Sequence, residues 1–306
     1  MSKLFKAIEE ENFSKIKDFD YNFKYIDDVC EFKRGYEDFK IAYIDENSNC
    51  NEAVVFLIHG FPTWSFLWRH FIKILIEKEC RIIAIDLPGF GRSDKPLDSE
   101  FYNFSNYRNI ILKFIEKMSL SNITLVTHEM GGTLGMTLPM TNPTKFKAAI
   151  TLSSFLPNNF FSLSDGYLNW LENCKKENHL NVRALMARTN RILNLSECNA
   201  YAAPFSNEDC NYVLKKFPSI FPANENIEGF DICREAVEWW QEVGIDKSLL
   251  VTGGRDPLFT IENAKQLAKI ISSDDNTHVI NNAGHFVPEW GMEFGKELFD
   301  KILQRE

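Results

Sequence analysis

The chain of 306 residues lacks the features that mark several protein classes. It has no run of 18 apolar residues, so a membrane-spanning helix is not expected. Its net charge of −9 and its lack of basic stretches with interleaved aromatic residues disfavour nucleic acids and anionic membranes as partners. The N-terminal segment MSKLFKAIEEENF has no apolar region of the kind found in signal peptides. These absences predict a soluble, cytoplasmic protein.

The distribution of the cysteines disfavours both a disulfide framework and a metal site. The seven cysteines are scattered, their number is odd, and none forms a CxxC pair. This pattern predicts reduced thiols rather than a disulfide framework. No group of histidines and cysteines has the spacing of metal ligands, so we predict no metal site.

What the sequence does contain is an alternation of strand-like and helix-like segments, which predicts a mostly parallel sheet with helices on both faces. Several of the strand-like segments are continuous apolar runs, as in buried parallel strands. The predicted strands are Phe39–Asp45, Ala53–His59, Arg81–Leu87, Ile123–His128, Ala148–Ser153, Ser248–Gly253 and His278–Asn281. The predicted helices are Ser65–Lys78, Phe101–Met118, Gly132–Met140, Ile261–Ile271 and Glu293–Gln304.

The alternation stops over residues 155–226, where helical and loop segments are broken by prolines. We interpret this stretch as a helical cap inserted into the core. The predicted domains are therefore a core of residues 1–154 and 227–306 and a cap of residues 155–226.

The segment ITLVTHEMGG at 123–132 carries the clearest chemical signal. A β-branched run ends in His128 and Glu129, and small residues and a helix-like pattern follow. This is the form of a nucleophile elbow, a sharp turn between strand and helix that raises one side chain above the sheet. Here that side chain is the carboxylate of Glu129. A carboxylate nucleophile attacks an sp³ carbon and leaves a covalent ester on the enzyme, which points to alkyl halides or epoxides.

Six segments, in this order, resemble motifs of the α/β-hydrolase family, and within it those of the haloalkane dehalogenases. The resemblance covers nearly the whole chain past about residue 20, and it implies the α/β-hydrolase fold, a helical cap, hydrolase activity on a small apolar organic substrate, and no cofactor. The oligomeric state is not indicated. The segments are HGFPTWSFLWR at 59–69, IIAIDLPGFGRSDKP at 82–96, ITLVTHEMGG at 123–132, AYAAPF at 200–205, VTGGRDPL at 251–258 and NNAGHFVPEW at 281–290.

The resemblance assigns roles to four residues besides Glu129. His285, in the segment AGHF, would be the general base that activates water against the ester intermediate. Asp256, in GGRDPL, would orient the histidine and stabilise its charged form. Phe61 and Met130 would supply backbone N–H groups to an oxyanion hole. Asp94 and Lys95 are interpreted as solvated turn charges.

The chain departs from the dehalogenase pattern at the nucleophile and at the halide site. Family members normally use aspartate, which is one methylene shorter than Glu129, and the flanking motifs favour a pocket still shaped for aspartate. Their halide-binding tryptophan after the nucleophile is replaced here by Met130, and our alignment puts Thr189 near the tryptophan position of the cap. Trp64, Thr189 and Phe286 are the candidate residues of the substrate pocket.

Two other functions stay open. The HGFP motif and the histidine before the nucleophile also resemble epoxide hydrolases, which use cap tyrosines to protonate the opening ring; Tyr167, Tyr201 and Tyr212 lie in the predicted cap. Alternatively, a longer nucleophile and missing halide donors would suit a catalytically impaired homologue that binds a small apolar ligand without converting it.

Overall fold

An eight-stranded, mostly parallel sheet forms the centre of the molecule. The structure, a computed structural model, describes residues 4–32, 34–50, 52–160, 163–176, 180–189, 191–271 and 277–303. The strands in these ranges are β1 Phe5–Lys6, β2 Phe23–Ile26, β3 Ile41–Glu46, β4 Val54–Ile58, β5 Arg81–Ile85, β6 Lys95–Pro96, β7 Ile123–His128, β8 Phe146–Leu152, β9 Lys247–Gly253 and β10 Thr277–Ile280. Strands β1 and β6 pair with each other in a separate two-stranded sheet, and the other eight form the central sheet.

The strand order in this sheet is β10-β9-β8-β7-β4-β5-β3-β2. The strands from β10 to β5 run parallel, whereas β3 and β2 are antiparallel additions at one edge. Every residue of β4 and β7 is buried, as continuous apolar runs in a sheet covered on both faces require. All seven predicted strands are confirmed within two residues at either end. The short strands β1, β2 and β6 were not predicted.

Helices cover both faces of the sheet. The α-helices are α1 Arg69–Leu75, α2 Phe104–Lys117, α3 Met130–Gly135, α4 Asp165–Lys176, α5 Val182–Met186, α6 Leu195–Ala202, α7 Glu208–Lys216, α8 Phe230–Glu242, α9 Ile261–Ile271 and α10 Gly291–Leu303. Short 3₁₀ helices span Glu10–Phe13, Ser65–Trp68, Ser99–Phe101, Pro143–Lys145, Phe217–Ile220 and Val287–Trp290. Within the described ranges, no helix has the length and apolarity needed to cross a bilayer.

The five predicted helices correspond to α1 with its preceding 3₁₀ turn, α2, α3, α9 and α10. Gln304, the predicted end of the last helix, lies outside the described residues. Helix α8, which follows the predicted cap, was not predicted from the sequence. Helices α4 to α7 lie between β8 and α8, inside the predicted insertion of residues 155–226. We call these four helices the helical insertion; their role as a separate cap domain stays a prediction.

The expectation that Asp94 and Lys95 are solvated turn charges is wrong. Both side chains are buried. The carboxylate of Asp94 accepts hydrogen bonds from two backbone N–H groups. The ammonium group of Lys95 donates to the carbonyl oxygens of Phe90, Gly91 and Ser93 at 3.1, 2.7 and 2.8 Å, and burial lowers its pKa to about 8. These two buried charges therefore hold the loop after β5 in place through hydrogen bonds to backbone groups.

A buried ion pair within the core is linked to the helical insertion through two residues of α6. The guanidinium of Arg69 on α1 contacts both carboxylate oxygens of Glu289 at 2.6 and 2.7 Å. From α6, the Tyr201 hydroxyl donates to the same carboxylate, and Glu197 accepts from Arg69 at 3.0 Å. Glu289 is wholly buried and lies in the 3₁₀ turn that follows His285. Removing one member would leave the other charge buried without its partner.

Replacement of Glu289 by alanine should therefore lower the free energy of unfolding by about 3–5 kcal/mol, measured by urea denaturation. Lys176→Ala is the matched control, because it removes an exposed pair with Glu172 and should change that free energy by less than about 0.5 kcal/mol. The double variant Arg69→Met/Glu289→Met should lose less than Glu289→Ala alone. Equal losses in Glu289→Ala and Lys176→Ala would contradict a stabilising buried pair.

Candidate active site

The turn between β7 and α3 places Glu129 at the edge of the sheet where the parallel strands end. Its backbone has φ +50° and ψ −125°, a conformation that is uncommon for residues other than glycine. Such backbone strain persists only where the surrounding structure enforces it, and it often marks a functional position. The geometry is that of the predicted elbow.

Two glycines allow the chain to pack this closely around the turn. A Cβ atom on Gly60 would lie 2.5 Å from the Cβ of Glu129, and one on Gly131 would lie 2.2 Å from the carbonyl oxygen of His59. Neither position can carry a side chain without displacing the backbone or the glutamate. The loop after β4 and the start of α3 are thereby held against Glu129.

The carboxylate of Glu129 is buried and accepts hydrogen bonds from three donors. Its Oε2 atom accepts from the backbone N–H of Phe61 at 2.8 Å and from the backbone N–H of Met130. Its Oε1 atom accepts from the hydroxyl of Tyr167 at 2.8 Å. Phe61 and Met130 thus occupy the positions predicted for oxyanion-hole donors, and they hold one oxygen of the glutamate itself.

Tyr167 is the functional candidate that sequence reasoning did not single out. It lies on α4 in the helical insertion and is wholly buried, with its ring packed against Phe155 and Phe221 at centroid distances of 4.5 and 4.9 Å. The other two tyrosines considered are elsewhere: Tyr201 donates to Glu289, and the ring of Tyr212 packs against Tyr102. The segment AYAAPF indicates a structural role for Tyr201, but no local signal separates Tyr167 from Tyr212, because the contact with Glu129 depends on how the insertion folds over the sheet.

Burial is the main cause of the pKa shift of Glu129. Desolvation raises the pKa of Glu129 above its ordinary value, although the nearby His285, the two N–H groups and the Tyr167 hydroxyl oppose this. Burial and the adjacent carboxylate also raise the pKa of Tyr167, so the tyrosine is a neutral hydrogen-bond donor. The site is therefore a desolvated carboxylate stabilised by fixed donors.

The structure brings Asp256 and His285 together. Asp256 follows β9, and its Oδ2 and Oδ1 atoms lie 2.9 and 3.2 Å from the Nδ1 atom of His285. The Oδ1 atom also accepts from the backbone N–H groups of Leu258 and Phe259. Burial disfavours the charge on Asp256, but the imidazole and these N–H groups outweigh burial and lower its pKa.

His285 faces two acids. Burial disfavours its imidazolium form, but the charges of Asp256 and Glu129 outweigh burial and raise its pKa. Its Nε2 atom is buried and has no hydrogen-bond partner within the described part of the chain. The backbone carbonyl of His285 lies 2.9 Å from Nε2 of His128, the residue before the glutamate, so the two loops are tied together.

A cleft of about 300 Å³ leads to the histidine. Thr189 and Phe286, both predicted pocket residues, line it, and so do Phe61 and His285. Most of its wall is apolar. The lining residues are Phe61, Trp170, Leu185, Arg188, Thr189, Arg255, Pro257, Leu258, Gly284, His285 and Phe286.

The third predicted pocket residue, Trp64, does not line this cleft, so that prediction is corrected. Its side chain is wholly buried, and its indole N–H donates to the carbonyl oxygen of Ala200 at 3.1 Å. Its ring packs edge-on against Phe13 and Phe19 at centroid distances of 5.3 and 5.5 Å. Trp64 is a core residue that joins the N-terminal segment to α6.

Comparison with known proteins places this geometry among hydrolases. The family model described as alpha/beta hydrolase fold matches residues 53–292. A haloalkane dehalogenase of Psychrobacter cryohalolentis is 30% identical over 256 residues, which is 82% of each chain. The tetrameric structure of haloalkane dehalogenase DpaA from Paraglaciecola agarilytica NO2 has a TM-score of 0.89 and 33% identity, covering 96% of this chain and 97% of that one.

A shorter match points to a second enzyme class. Bifunctional epoxide hydrolase 2 of Sus scrofa is 32% identical over 106 residues, which is 34% of this chain and 19% of the pig protein. This similarity is local, whereas the similarity to the dehalogenases extends over most of the chain.

Substitution of Tyr167 by phenylalanine should raise the pKa of Glu129 further, because the hydrogen bond that favours the carboxylate is lost while burial is kept. The titration can be followed by ¹³C NMR of side-chain-labelled glutamate. Tyr212→Phe is the matched control, since Tyr212 is also in the insertion and is not hydrogen-bonded to Glu129; it should leave the titration unchanged. An unchanged titration in Tyr167→Phe would contradict the hydrogen bond.

Proposed function

We propose that this chain, which belongs to the alpha/beta hydrolase fold family, hydrolyses carbon–halogen bonds with Glu129 as nucleophile. The chain is similar to haloalkane dehalogenases over most of its length. The substrate is a small, largely apolar haloalkane, as the apolar wall of the cleft suggests. The observation that carries the proposal is the set of three donors on the Glu129 carboxylate, which leaves its two oxygens in different environments.

In the first step, Oε1 of Glu129 attacks the carbon that bears the halogen. A carbon–oxygen bond forms, the carbon–halogen bond breaks, and the halide leaves with the bonding electron pair. Because Oε2 is held by Phe61 and Met130, Oε1 is the oxygen available for attack once a substrate displaces the Tyr167 hydroxyl. The product of this step is an alkyl ester of Glu129 and a halide ion.

Tyr167 would then supply the donor that the departing halide needs. The family's tryptophan donor after the nucleophile is replaced by Met130, whose N–H already binds Oε2. The Tyr167 hydroxyl loses its partner when the substrate displaces it from Oε1, and it can then donate to the departing halide. In a buried site, a fixed hydroxyl stabilises a developing anion more strongly than it would in water.

In the second step, water attacks the carbonyl carbon of the ester, and the Nε2 atom of His285 accepts one of the water protons. The carbonyl oxygen of the ester is Oε2, so the negative charge of the tetrahedral intermediate develops between the N–H groups of Phe61 and Met130. Collapse releases the alcohol and restores the carboxylate. One water proton ends on the alcohol and the other leaves through His285, so the net products are alcohol, halide and a proton.

The charges around His285 suit this order of events. In the free enzyme, Asp256 and Glu129 together raise the pKa of His285. Alkylation neutralises Glu129 and removes one of these two charges, while Asp256 keeps the ring oriented through Nδ1. The pKa of His285 therefore falls when the ester forms, which favours the neutral imidazole at the stage when a base is required.

Epoxide hydrolysis is the second candidate function, and the Tyr167 hydroxyl favours it. In that reaction Oε1 attacks an epoxide carbon, the ring carbon–oxygen bond breaks, and the tyrosine donates its proton to the ring oxygen. The local similarity to the pig epoxide hydrolase supports this alternative. The ester would then be hydrolysed as above, giving a diol, and the proton taken up by His285 returns to the Tyr167 oxygen, so that the reaction adds one water to the epoxide.

The proposal predicts that halide release from 1-bromohexane requires Glu129. Glu129→Gln should abolish release, because the amide is a poor nucleophile. Contrary to the expectation from the flanking motifs, Glu129→Asp should lower kcat/KM by about 10²-fold, since a side chain shorter by one methylene cannot reach both the N–H pair and Tyr167. Halide release is measured as a function of bromoalkane concentration, with 1,2-epoxyhexane and hexyl acetate assayed in parallel.

Three outcomes separate the candidate functions. Glu129-dependent release of bromide supports dehalogenation, and Glu129-dependent diol formation without bromide release supports epoxide hydrolysis. Tight binding of bromohexane with no product from any substrate would identify a ligand-binding homologue and contradict the proposed chemistry. Circular dichroism of each variant checks that the fold is intact.

A further inference from the structure

Two arginines lie at the mouth of the cleft that leads to His285. Arg188 follows α5 in the helical insertion, and Arg255 follows β9 in the core. Both side chains are exposed, so the positive charges face solvent at the entrance rather than the reacting centre. The cleft is thus positively charged at its outer end, and His285 stands at its inner end.

Neither arginine is neutralised by an acid in the part of the chain that the structure describes. Arg188 and Arg255 form no ion pair within the ranges that the structure describes, whereas Arg69, Arg81 and Arg191 each contact a carboxylate. No aspartate or glutamate is among the described residues that line the cleft. The chain as a whole has a net charge of −9, so two positive charges with no acidic partner among the described residues form a local field at the cleft mouth that is opposite in sign to the net charge.

We propose that this cleft selects alkyl substrates that carry a carboxylate at the end distant from the reacting carbon, the carboxylate binding between Arg188 and Arg255. The inference rests on the proposed function for the reacting end and adds the class of substrate. The guanidinium group matches a carboxylate because its N–H groups can donate to both oxygens at once. Trp170, Leu185 and Leu258 contribute apolar surface to the same cleft, which suits the methylene chain of such a substrate.

Charged groups at the exposed rim of a site mainly affect the association rate of the ligand and the specificity for it. Each exposed arginine is expected to contribute about two- to fivefold to the preference for a carboxylate. The preference should weaken with added salt, because the Debye length falls from about 10 Å at 0.1 M to about 3 Å at 1 M ionic strength. A neutral substrate of the same length should show no such salt dependence.

The test compares 6-bromohexanoate with 6-bromohexanamide, which has nearly the same shape and no charge. The ratio of their kcat/KM values should favour the carboxylate by about tenfold at low salt and approach one at 1 M salt. The double variant Arg188→Gln/Arg255→Gln should abolish the preference. Arg183→Gln is the matched control, since Arg183 is also exposed, lies on α5 and does not line the cleft; it should leave the ratio unchanged.

Binding measurements keep this inference separate from the proposed reaction. Calorimetry with hexanoate and hexanamide needs no turnover, so it reports on the arginines even if no bromide is released. Tighter binding of hexanoate than of hexanamide, lost in the double variant, supports the inference. If neither bromo compound is converted while this binding preference is present, only the proposed reaction is contradicted. Equal binding of the two ligands, equal kcat/KM values for the two substrates, or a preference that survives in the double variant would overturn it.

Discussion

The site depends on one constraint, which is that a carboxylate taken out of water must be compensated by hydrogen bonds. Glu129 is buried at a strained turn, and its two oxygens are satisfied by the N–H groups of Phe61 and Met130 and by the hydroxyl of Tyr167. The first two donors come from the core and the third from the helical insertion. The position of the insertion over the sheet is therefore part of the chemistry of the carboxylate.

The core and the helical insertion are also in contact away from Glu129. Arg69 and Glu289 form a buried pair that Tyr201 and Glu197 extend into α6, and Trp64 donates to the backbone of the same helix. Glu289 lies in the turn that directly follows His285, so the histidine loop is anchored to both parts of the molecule. Fixed donors and a fixed base are what a water-excluding site needs, because they are in place before charge develops.

The sheet could be predicted because its strands follow local rules, and Asp256 and His285 could be chosen as candidate site residues because their segments resemble motifs of a known family. Continuous apolar runs located the parallel strands, and the order of Glu129, Asp256 and His285 followed from motifs in the loops after them. The role of Tyr167 could not be predicted, because its contact depends on how α4 folds over β7. The burial of Lys95 was missed for a different reason, since three carbonyl groups of its own loop enclose a charge that sequence alone assigns to solvent.

If the buried glutamate is alkylated during the reaction, the alkyl ester can be trapped in a variant that forms it but does not hydrolyse it. His285→Gln removes the base that hydrolyses the ester and leaves Glu129 in place. After incubation of this variant with 1-bromohexane, peptide mass spectrometry should find one hexyl group on Glu129, and none when Glu129→Gln is added. Bromide release without this adduct, or a hexyl group that persists in the double variant, would contradict the account.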